Sequence, residues 1–260
     1  MDFQTSNHIL AALTVEDRSL LRPLLQTVDL PRGAVIEAED AIPPFVYFLE
    51  GGLASILAVT PHEDDKIEVG LYGREGMSGT AILHDVDHGP LRTVIQCAGS
   101  AQRVQFAKLQ DLLVQRPAIS AVFSKWQRVF AVQLAHTALS NGRNSLEKRL
   151  ARWILMAHDR IGHELDLTHE FLSVMLGVRR AGVTTAIHML EGEYLIKATR
   201  GRIVVLNRVG LKERAGAAYG VPEAYYERVL GRPVANFAEP DQPGRTEQSS
   251  TRIPAAASGT

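Results

Sequence analysis

The sequence is poor in cysteine, in long apolar runs and in net charge. Cys97 is the single cysteine among 260 residues, which excludes an intrachain disulfide framework and any cysteine-ligated zinc site or iron–sulfur cluster. No apolar run reaches the length of a membrane-spanning helix, and no signal peptide is recognisable. We therefore expect a soluble, cytoplasmic protein without a membrane partner. The net charge of −1 excludes no class of partner.

The charge is unevenly distributed along the chain. Residues 1–141 hold 11 lysines and arginines against 16 acidic residues, whereas residues 142–214 hold 13 against 8. A basic segment within a nearly neutral chain is typical of a region that contacts phosphate groups. The charge pattern thus directs the search for a nucleic-acid-binding element to residues 142–214.

Two short helical patterns joined by a glycine lie inside this basic segment. Thr168 is a suitable N-cap for the first helix, and Gly177 follows it where a tight turn requires positive φ. The second pattern has an apolar face with helical spacing, formed by Val183, Ala186, Ile187 and Leu190. This arrangement predicts a helix-turn-helix, whose second helix enters the major groove of DNA by its N-terminal end.

The polar residues of this segment have two predicted roles on double-stranded DNA. Arginine can contact guanine bidentately, so residues on the exposed face of the second helix are predicted to contact base edges. Their neighbours are predicted to hold backbone phosphates. The base-reading set is Arg180, Thr184, Thr185 and His188. The phosphate-holding set is Arg179, Thr168, His169, Arg200 and Arg202.

A β-hairpin is predicted directly after the second helix. Residues 193–196 and 203–206 have strand-like composition, and the turn between them, residues 199–202, is basic. A basic hairpin in this place is a wing that can touch phosphates. The alternative interpretation is a small helical module that binds another protein and no DNA.

The remaining chain predicts an α+β protein. Short β-like runs separated by glycine and proline fill residues 28–106 and indicate an antiparallel β-roll or jelly-roll barrel. The predicted domains are a sensor domain at 1–110, a dimerisation helix at 111–141, a winged helix-turn-helix at 142–214 and a C-terminal extension at 215–260. The extension is expected to be disordered after residue 238 because it is rich in proline, glycine and small polar residues.

The helix at 111–141 has a regular apolar and polar seam. Its 4-3 spacing is typical of a helix that pairs with a second copy, which predicts a homodimer with a hinge near Gly142. The equally open alternative is an amphipathic helix that packs on its own barrel. The seam consists of Ile119, Phe123, Trp126, Phe130, Gln133 and Thr137.

These features together resemble the CRP/FNR superfamily of bacterial transcription regulators. The most specific part is Thr168-His169-Glu170, then Gly177-Val178-Arg179-Arg180 and the strand Ile203-Val204-Val205. The resemblance covers roughly residues 8–210 and places Arg180 on the family's base-reading arginine. Ala181 and Thr185 replace a frequent glutamate and a second arginine, so the preferred bases should differ. It implies a homodimer that binds a palindromic operator and contacts RNA polymerase.

The resemblance also implies a cyclic-nucleotide-binding fold, but with an altered phosphate cassette. Gly79 matches the family's glycine, whereas Thr80 stands in place of the ribose-binding glutamate. Arg92 and Thr93 match the phosphate-binding pair. We expect no dependence on cyclic AMP, and a cyclic-nucleotide-responsive regulator with a modified cassette is the alternative.

Histidines in the β-domain leave two further alternatives. His84 or His88 could ligate haem iron, as in the family's carbon-monoxide sensor, although loop histidines on the surface are the ordinary interpretation. His62 with Glu63-Asp64-Asp65 could join them in a cupin-like metalloenzyme. Both clusters lie in polar, turn-rich segments, whereas such a site needs ligands on strands that point inward. We therefore predict no catalytic residue, no metal and no cofactor.

Overall fold

A computed structural model describes residues 4–60 and 66–235. The cluster from His62 to Asp65 and the tail predicted to be disordered after residue 238 lie outside these residues. Within them, no helix combines the length and the apolar character that crossing a bilayer requires.

The N-terminal part is built from two short helices and two antiparallel sheets. The strands of the two sheets fall on the predicted β-like runs, and the turns between them fall on the glycine and proline positions. One sheet has the order β1-β7-β3 and the other β2-β6-β4-β5. The elements are α1 His8–Ala11, α2 Val15–Leu21, β1 Gln26–Leu30, β2 Val35–Glu37, β3 Phe45–Leu49, β4 Leu53–Val59, β5 Lys66–Tyr72, β6 Leu91–Cys97 and β7 Gly99–Gln105. Short 3₁₀ helices at Arg22–Leu24 and Thr80–His84 complete this β-domain.

Two helices, and not one, connect the β-domain to the C-terminal part. They are α3, Phe106–Gln115, and α4, Pro117–Arg143. The chain breaks at Arg116, whose φ of −131° and ψ of 74° are not helical, because a proline disfavours the helical region for the residue before it. Helix α4 continues through Gly142, where the hinge is predicted, and ends at Arg143. The break in the helical run lies at Asn144 and Ser145, before the next helix begins.

The predicted dimer seam of α4 faces the β-domain of its own chain. Phe123 lies 5.5 Å from Phe48 between ring centroids, and Trp126 lies 5.8 Å from Tyr72. Because these aromatic side chains are buried within one subunit, they are unavailable to a second one. The buried residues of the predicted seam are Ile119, Phe123, Trp126, Phe130 and Gln133.

The polar members of the seam also have partners inside the chain. Gln133 accepts a hydrogen bond from the Leu71 backbone N–H at 2.9 Å. Thr137 accepts one from the Arg152 guanidinium at 3.1 Å. A buried amide or hydroxyl requires such a partner, and here the partners belong to β5 and to the next helix. The seam is therefore the face that packs on the β-domain, which was the alternative interpretation of its spacing.

The C-terminal part has the predicted winged-helix topology and one further helix. In the small sheet β10 lies between β8 and β9. The elements are α5 Leu146–Ile161, β8 Glu164–Leu165, α6 His169–Leu176, α7 Arg180–Gly192, β9 Ile196–Thr199, β10 Arg202–Val205, α8 Arg208–Ala215 and α9 Val221–Leu230, with a 3₁₀ turn at Gly216–Ala218. The last helix folds back on α4 and α1, where Tyr226 hydrogen-bonds His8 at 2.9 Å.

Helix α5 lies buried between the β-domain and the winged helix. Leu53, Leu57 and Leu71 of the β-domain share one apolar core with it. Two buried polar contacts cross the same boundary. Trp153 donates to the Glu68 carboxylate at 2.6 Å, and Arg160 donates to Glu75 at 2.7 Å. The two parts are thus joined by a continuous core with specific hydrogen bonds inside it.

Glu68 should make stability depend on pH. Burial raises the pKa of its carboxyl from 4.5 to about 7, although hydrogen bonds from Ser55 and Trp153 oppose this. The pKa of Glu68 is higher in the folded state than in the unfolded state. Its contribution to the free energy of unfolding is therefore full below pH 4.5 and is lost as the pH rises to about 7. In the wild-type protein the free energy of unfolding should fall by up to about 3 kcal/mol over this pH window because of Glu68, and in Glu68→Gln this fall should be absent. Urea unfolding of the wild type and of Glu68→Gln at several pH values across this window measures the difference. If the free energies of unfolding of the two proteins change in parallel with pH, the prediction is wrong.

Candidate nucleic-acid interface

The helix-turn-helix forms because local signals begin and end each helix. The Thr168 side chain accepts a hydrogen bond from the Phe171 N–H and so caps α6. Gly177 ends α6 with φ of 58°, a conformation that glycine adopts without a steric penalty. Arg179 then occupies the N-cap position of α7. The predicted turn and both helices are therefore present at the predicted residues.

The outer face of α7 is accessible. Its apolar face is buried under α6 and α5 through Val183, Ala186, Ile187 and Leu190. The predicted base-reading residues Arg180, Thr185 and His188 are exposed, and Thr184 is half-buried. Thr184 lies 3.1 Å from the His169 ring, which joins the two helices next to the exposed face. The structure thus brings the predicted base-reading residues together on one helix surface.

The wing is a two-residue turn between β9 and β10. Thr199 pairs with Arg202 across it, and Gly201 takes φ of 78°. The first strand begins later than predicted, because Glu193 caps α7 and Tyr194 has φ of 56°. A positive φ is incompatible with an extended strand, so β9 starts only at Ile196.

The two wing arginines differ in their surroundings. Arg202 donates to Glu164 at 2.8 Å and to Asp166 at 3.1 Å, and these acidic residues lie on and beside β8. Arg200 is exposed and has no ion pair within the described part of the chain. The prediction that Arg202 holds a phosphate is thereby weakened, because its charge is already compensated by two carboxylates. Arg200 offers an uncompensated positive charge.

Arg149 connects the helix-turn-helix to the long helix. Its guanidinium donates to the carbonyl of Leu176 at the end of α6 and to the Asn141 side chain at 3.1 Å. A helix C-terminus leaves carbonyls without intrahelical partners, and arginine can satisfy them. Arg149 thus bridges α4 and the turn before α7. Sequence reasoning missed this residue, because its two partners are 8 and 27 positions away.

The helix-turn-helix also rests on the β-domain. A Cβ at Gly177 would lie 2.7 Å from the Ile67 side chain, so the turn touches β5 closely. Gln96 of β6 lies 3.8 Å from the Met175 sulfur. Helix α6 and the turn before α7 are thus in contact with the β-domain.

A second candidate site is a cavity between the β-domain and α4. Gly79 and Thr93 of the predicted phosphate cassette line it, and both donate at 2.8 Å to the carboxylate of Glu37. Arg92 is not among the lining residues, and its Nε and Nη2 both donate to Glu39. Thr80 also lines the cavity and begins the 3₁₀ helix Thr80–His84. Donors expected to hold a phosphate are therefore occupied by carboxylates of the chain itself.

The β-domain histidines that were considered as ligands have ordinary partners. His84 lies 2.8 Å from the Gln127 side chain of α4. His88 contacts its neighbour Asp87. Within residues 4–60 and 66–235, no three histidine, cysteine or acidic side chains are grouped as metal ligands would be.

Comparison with known proteins identifies the C-terminal domain. Residues 148–214 match the model of the Crp-like helix-turn-helix domain. The match begins in α5 and ends in α8, and it includes the turn, α7 and the wing. Comparison with curated protein sequences gave no match.

Solved structures extend the likeness to the whole fold. A protein from Eubacterium rectale, described as a transcriptional regulator of the CRP/FNR family, is 16% identical with a TM-score of 0.64 and covers 80% of this chain and 97% of its own. The c-di-GMP-responsive global regulator CLP of Xanthomonas campestris is 13% identical with a TM-score of 0.61, covering 74% and 99%. A CRP-family regulator from Thermus thermophilus is 16% identical with a TM-score of 0.60, covering 73% and 96%. At these identities the likeness establishes the fold.

The predicted resemblance and fold class are confirmed. The chain has a fold similar to that of these CRP/FNR-type regulators, with the residues that match the Crp-like helix-turn-helix domain placed after a β-domain and a long helix. Besides Arg149, sequence reasoning missed Glu37 in the cavity and the acidic partners of Arg202. Glu37 meets Gly79 and Thr93 across 42 and 56 positions of sequence. No local pattern signals a contact over such a separation.

Proposed function

We propose that the protein is a sequence-specific transcription regulator that binds a palindromic operator as a homodimer and does not require cyclic AMP. The observation that carries this proposal is the exposed α7 surface of the Crp-like domain, with two arginines at its N-terminal end. RNA polymerase is the proposed protein partner, in keeping with the regulator fold.

The base-reading and phosphate-holding roles follow from position on the domain. Arg180, Thr185 and His188 lie on the exposed face of α7, where a helix in the major groove meets base edges. Arg179 and the capping residue Thr168 lie at the two helix N-termini, which favour anions. Arg200 at the tip of the wing is placed for a further phosphate.

The corrected dimer surface is the other face of α4. The same 3-4 spacing recurs there in exposed and mostly small residues, which permit close approach of two helices. This small-residue face consists of Ala121, Ser124, Arg128, Ala131, Ala135 and Ala138. Pairing through it would relate two Crp-like domains by a two-fold axis, as two half-sites about 34 Å apart require.

Independence from cyclic AMP is supported by the state of the cassette. Glu37 holds Gly79 and Thr93, and Glu39 holds Arg92. A phosphate would have to displace one carboxylate and approach another of like charge. The alternative, a cyclic-nucleotide response, requires both carboxylates to move.

Arg180→Ala tests the proposed function. We expect it to weaken binding to a selected genomic operator by about 1–3 kcal/mol and to relax preference at one base pair. Fragment selection at physiological salt, with and without cyclic AMP, supplies the operator, and fluorescence anisotropy supplies the affinity. Arg32→Ala, which removes an exposed arginine from the β-domain, is the control and should bind normally. Unchanged specific binding by Arg180→Ala would show that α7 is misplaced on DNA.

The two wing arginines should differ in their contribution to the salt dependence of binding. Arg200→Ala removes one uncompensated charge, so the slope of log K against log salt on non-specific DNA should fall by about 0.9. Arg202→Ala should change this slope less, because Glu164 and Asp166 already compensate its charge. Anisotropy titrations over a salt series measure both slopes. An equal or larger change for Arg202→Ala would mean that DNA breaks its ion pairs.

A further inference from the structure

The cavity between the β-domain and α4 has the character of a small-molecule site. Its volume is about 280 Å³, close to the lower end of the range for ligand pockets. The lining is mainly apolar and includes Ile56, Met77, Trp126, Phe130 and Leu134. Among the described lining residues there is one carboxylate, Glu37, and no lysine or arginine. The lining also includes the imidazole of His88, which contacts Asp87. The described lining is therefore mainly apolar, with Glu37 as its one carboxylate.

Glu37 is held in position by two hydrogen bonds to its carboxyl oxygens. The Gly79 N–H donates to one oxygen and the Thr93 hydroxyl to the other, each at 2.8 Å. No ion pair of Glu37 occurs within residues 4–60 and 66–235. Burial raises the pKa of this carboxyl, while the two hydrogen bonds lower it. Each oxygen retains a lone pair that a further donor can use.

An unpaired carboxylate in apolar surroundings is costly, because it has lost water and gained no opposite charge. A ligand with a positive charge offsets this cost, whereas a phosphate or carboxylate increases it. The cassette donors cannot serve an anionic ligand as they stand, since Glu37 already accepts from them. The cavity thus selects for the charge opposite to that of a cyclic nucleotide.

We propose that this cavity binds a small organic ammonium ion with an apolar body, its N–H groups donating to Glu37 and its body packing on Trp126 and Phe130. Aromatic faces attract cations in addition to burying apolar surface. Trp126 is held for this contact by the hydrogen bond from its Nε1 to the Met77 carbonyl at 3.3 Å. The inference that this ligand acts as an effector rests on the proposed regulator function, whereas the inference that it binds in the cavity does not.

The location of the cavity gives such a ligand a route to the Crp-like domain. Trp126 and Phe130 belong to α4, which also carries the small-residue face. The C-terminal end of α4 contacts Arg149 through Asn141, and Arg149 holds the end of α6. A molecule that fills the space between the sheet and α4 would therefore bias the position of the helix that leads to the DNA-binding surface.

Calorimetric titration of the full-length protein with matched probes tests the proposal without DNA. Phenethylamine, phenethyl alcohol and hydrocinnamate present nearly the same apolar body with positive, neutral and negative charge, and cyclic AMP is the fourth probe. We expect phenethylamine to bind at least tenfold more tightly than the alcohol, and no binding of the two anions. Equal or tighter binding of either anion overturns the proposal, as does failure of the amine to bind at millimolar concentration.

Glu37→Gln identifies the anchoring group. It retains the shape and one acceptor oxygen but removes the charge, so the affinity for phenethylamine should fall at least tenfold. Asp29→Asn removes an exposed carboxylate from β1 and should bind as the wild type does. Unchanged affinity in Glu37→Gln overturns the proposal. If this variant does not fold, the charge ranking of the probes on the wild-type protein still decides. Because DNA is absent, failure here is separate from failure of operator binding.

Discussion

Replacing Arg160 with alanine is expected to destabilise the protein by about 3–5 kcal/mol. Arg160 lies on α5 and Glu75 in the β-domain, and their side chains are only 2% and 1% exposed. Burial lowers the pKa of the Arg160 guanidinium, but Glu75 and Asp159 outweigh this and raise it. Without the arginine, Glu75 remains as a buried charge at the boundary of the two parts. Equilibrium unfolding in urea at neutral pH measures the loss.

The control for this prediction is the exposed arginine Arg202, whose pairs with Glu164 and Asp166 lie in solvent. Exposed pairs contribute about 0–1 kcal/mol, so Arg202→Ala should unfold nearly as the wild type does. The double variant Arg160→Met with Glu75→Gln should recover part of the loss, because it leaves no unpaired charge. A loss below about 1 kcal/mol in Arg160→Ala would show that water reaches Glu75.

Replacing Ala135 with glutamate should separate the proposed dimer. Ala135 lies in the middle of the small-residue face of α4 and is exposed in the single chain. In a two-fold pair of parallel helices, equivalent residues face each other, so two carboxylates would meet where two methyl groups pack. We expect a monomer in sedimentation velocity. Affinity for a two-half-site operator should fall by about 10²–10⁴, since the second Crp-like domain no longer binds intramolecularly.

Binding to a single half-site should be unchanged by Ala135→Glu, which distinguishes loss of pairing from damage to α7. Gln110→Glu adds the same charge to an exposed position on α3 and should remain dimeric. A dimer that survives Ala135→Glu, with unchanged operator affinity, would place the subunit contact elsewhere on the chain.

The helix-turn-helix was predictable because its determinants act over a few residues. Thr168 caps the helix that begins at the next residue, and Gly177 supplies the one turn conformation that side chains avoid. The apolar spacing from Val183 to Leu190 fixes which face of α7 is buried. The sequence by itself therefore determined the turn, α7 and the accessible arginines. The β-domain followed in the same way from short strand-like runs between turn residues.

The partner of each face of α4 was decided only by the tertiary structure. Both faces carry a 3-4 spacing, and spacing does not state what a face packs against. Phe123 and Trp126 pack on Phe48 and Tyr72, which are more than fifty residues away in sequence. The contacts of the predicted phosphate cassette were decided likewise, because Glu37 meets Thr93 where β2 and β6 pair and meets Gly79 from the segment after β5. Local patterns fix elements, whereas side-chain partners depend on the surfaces that folding brings together.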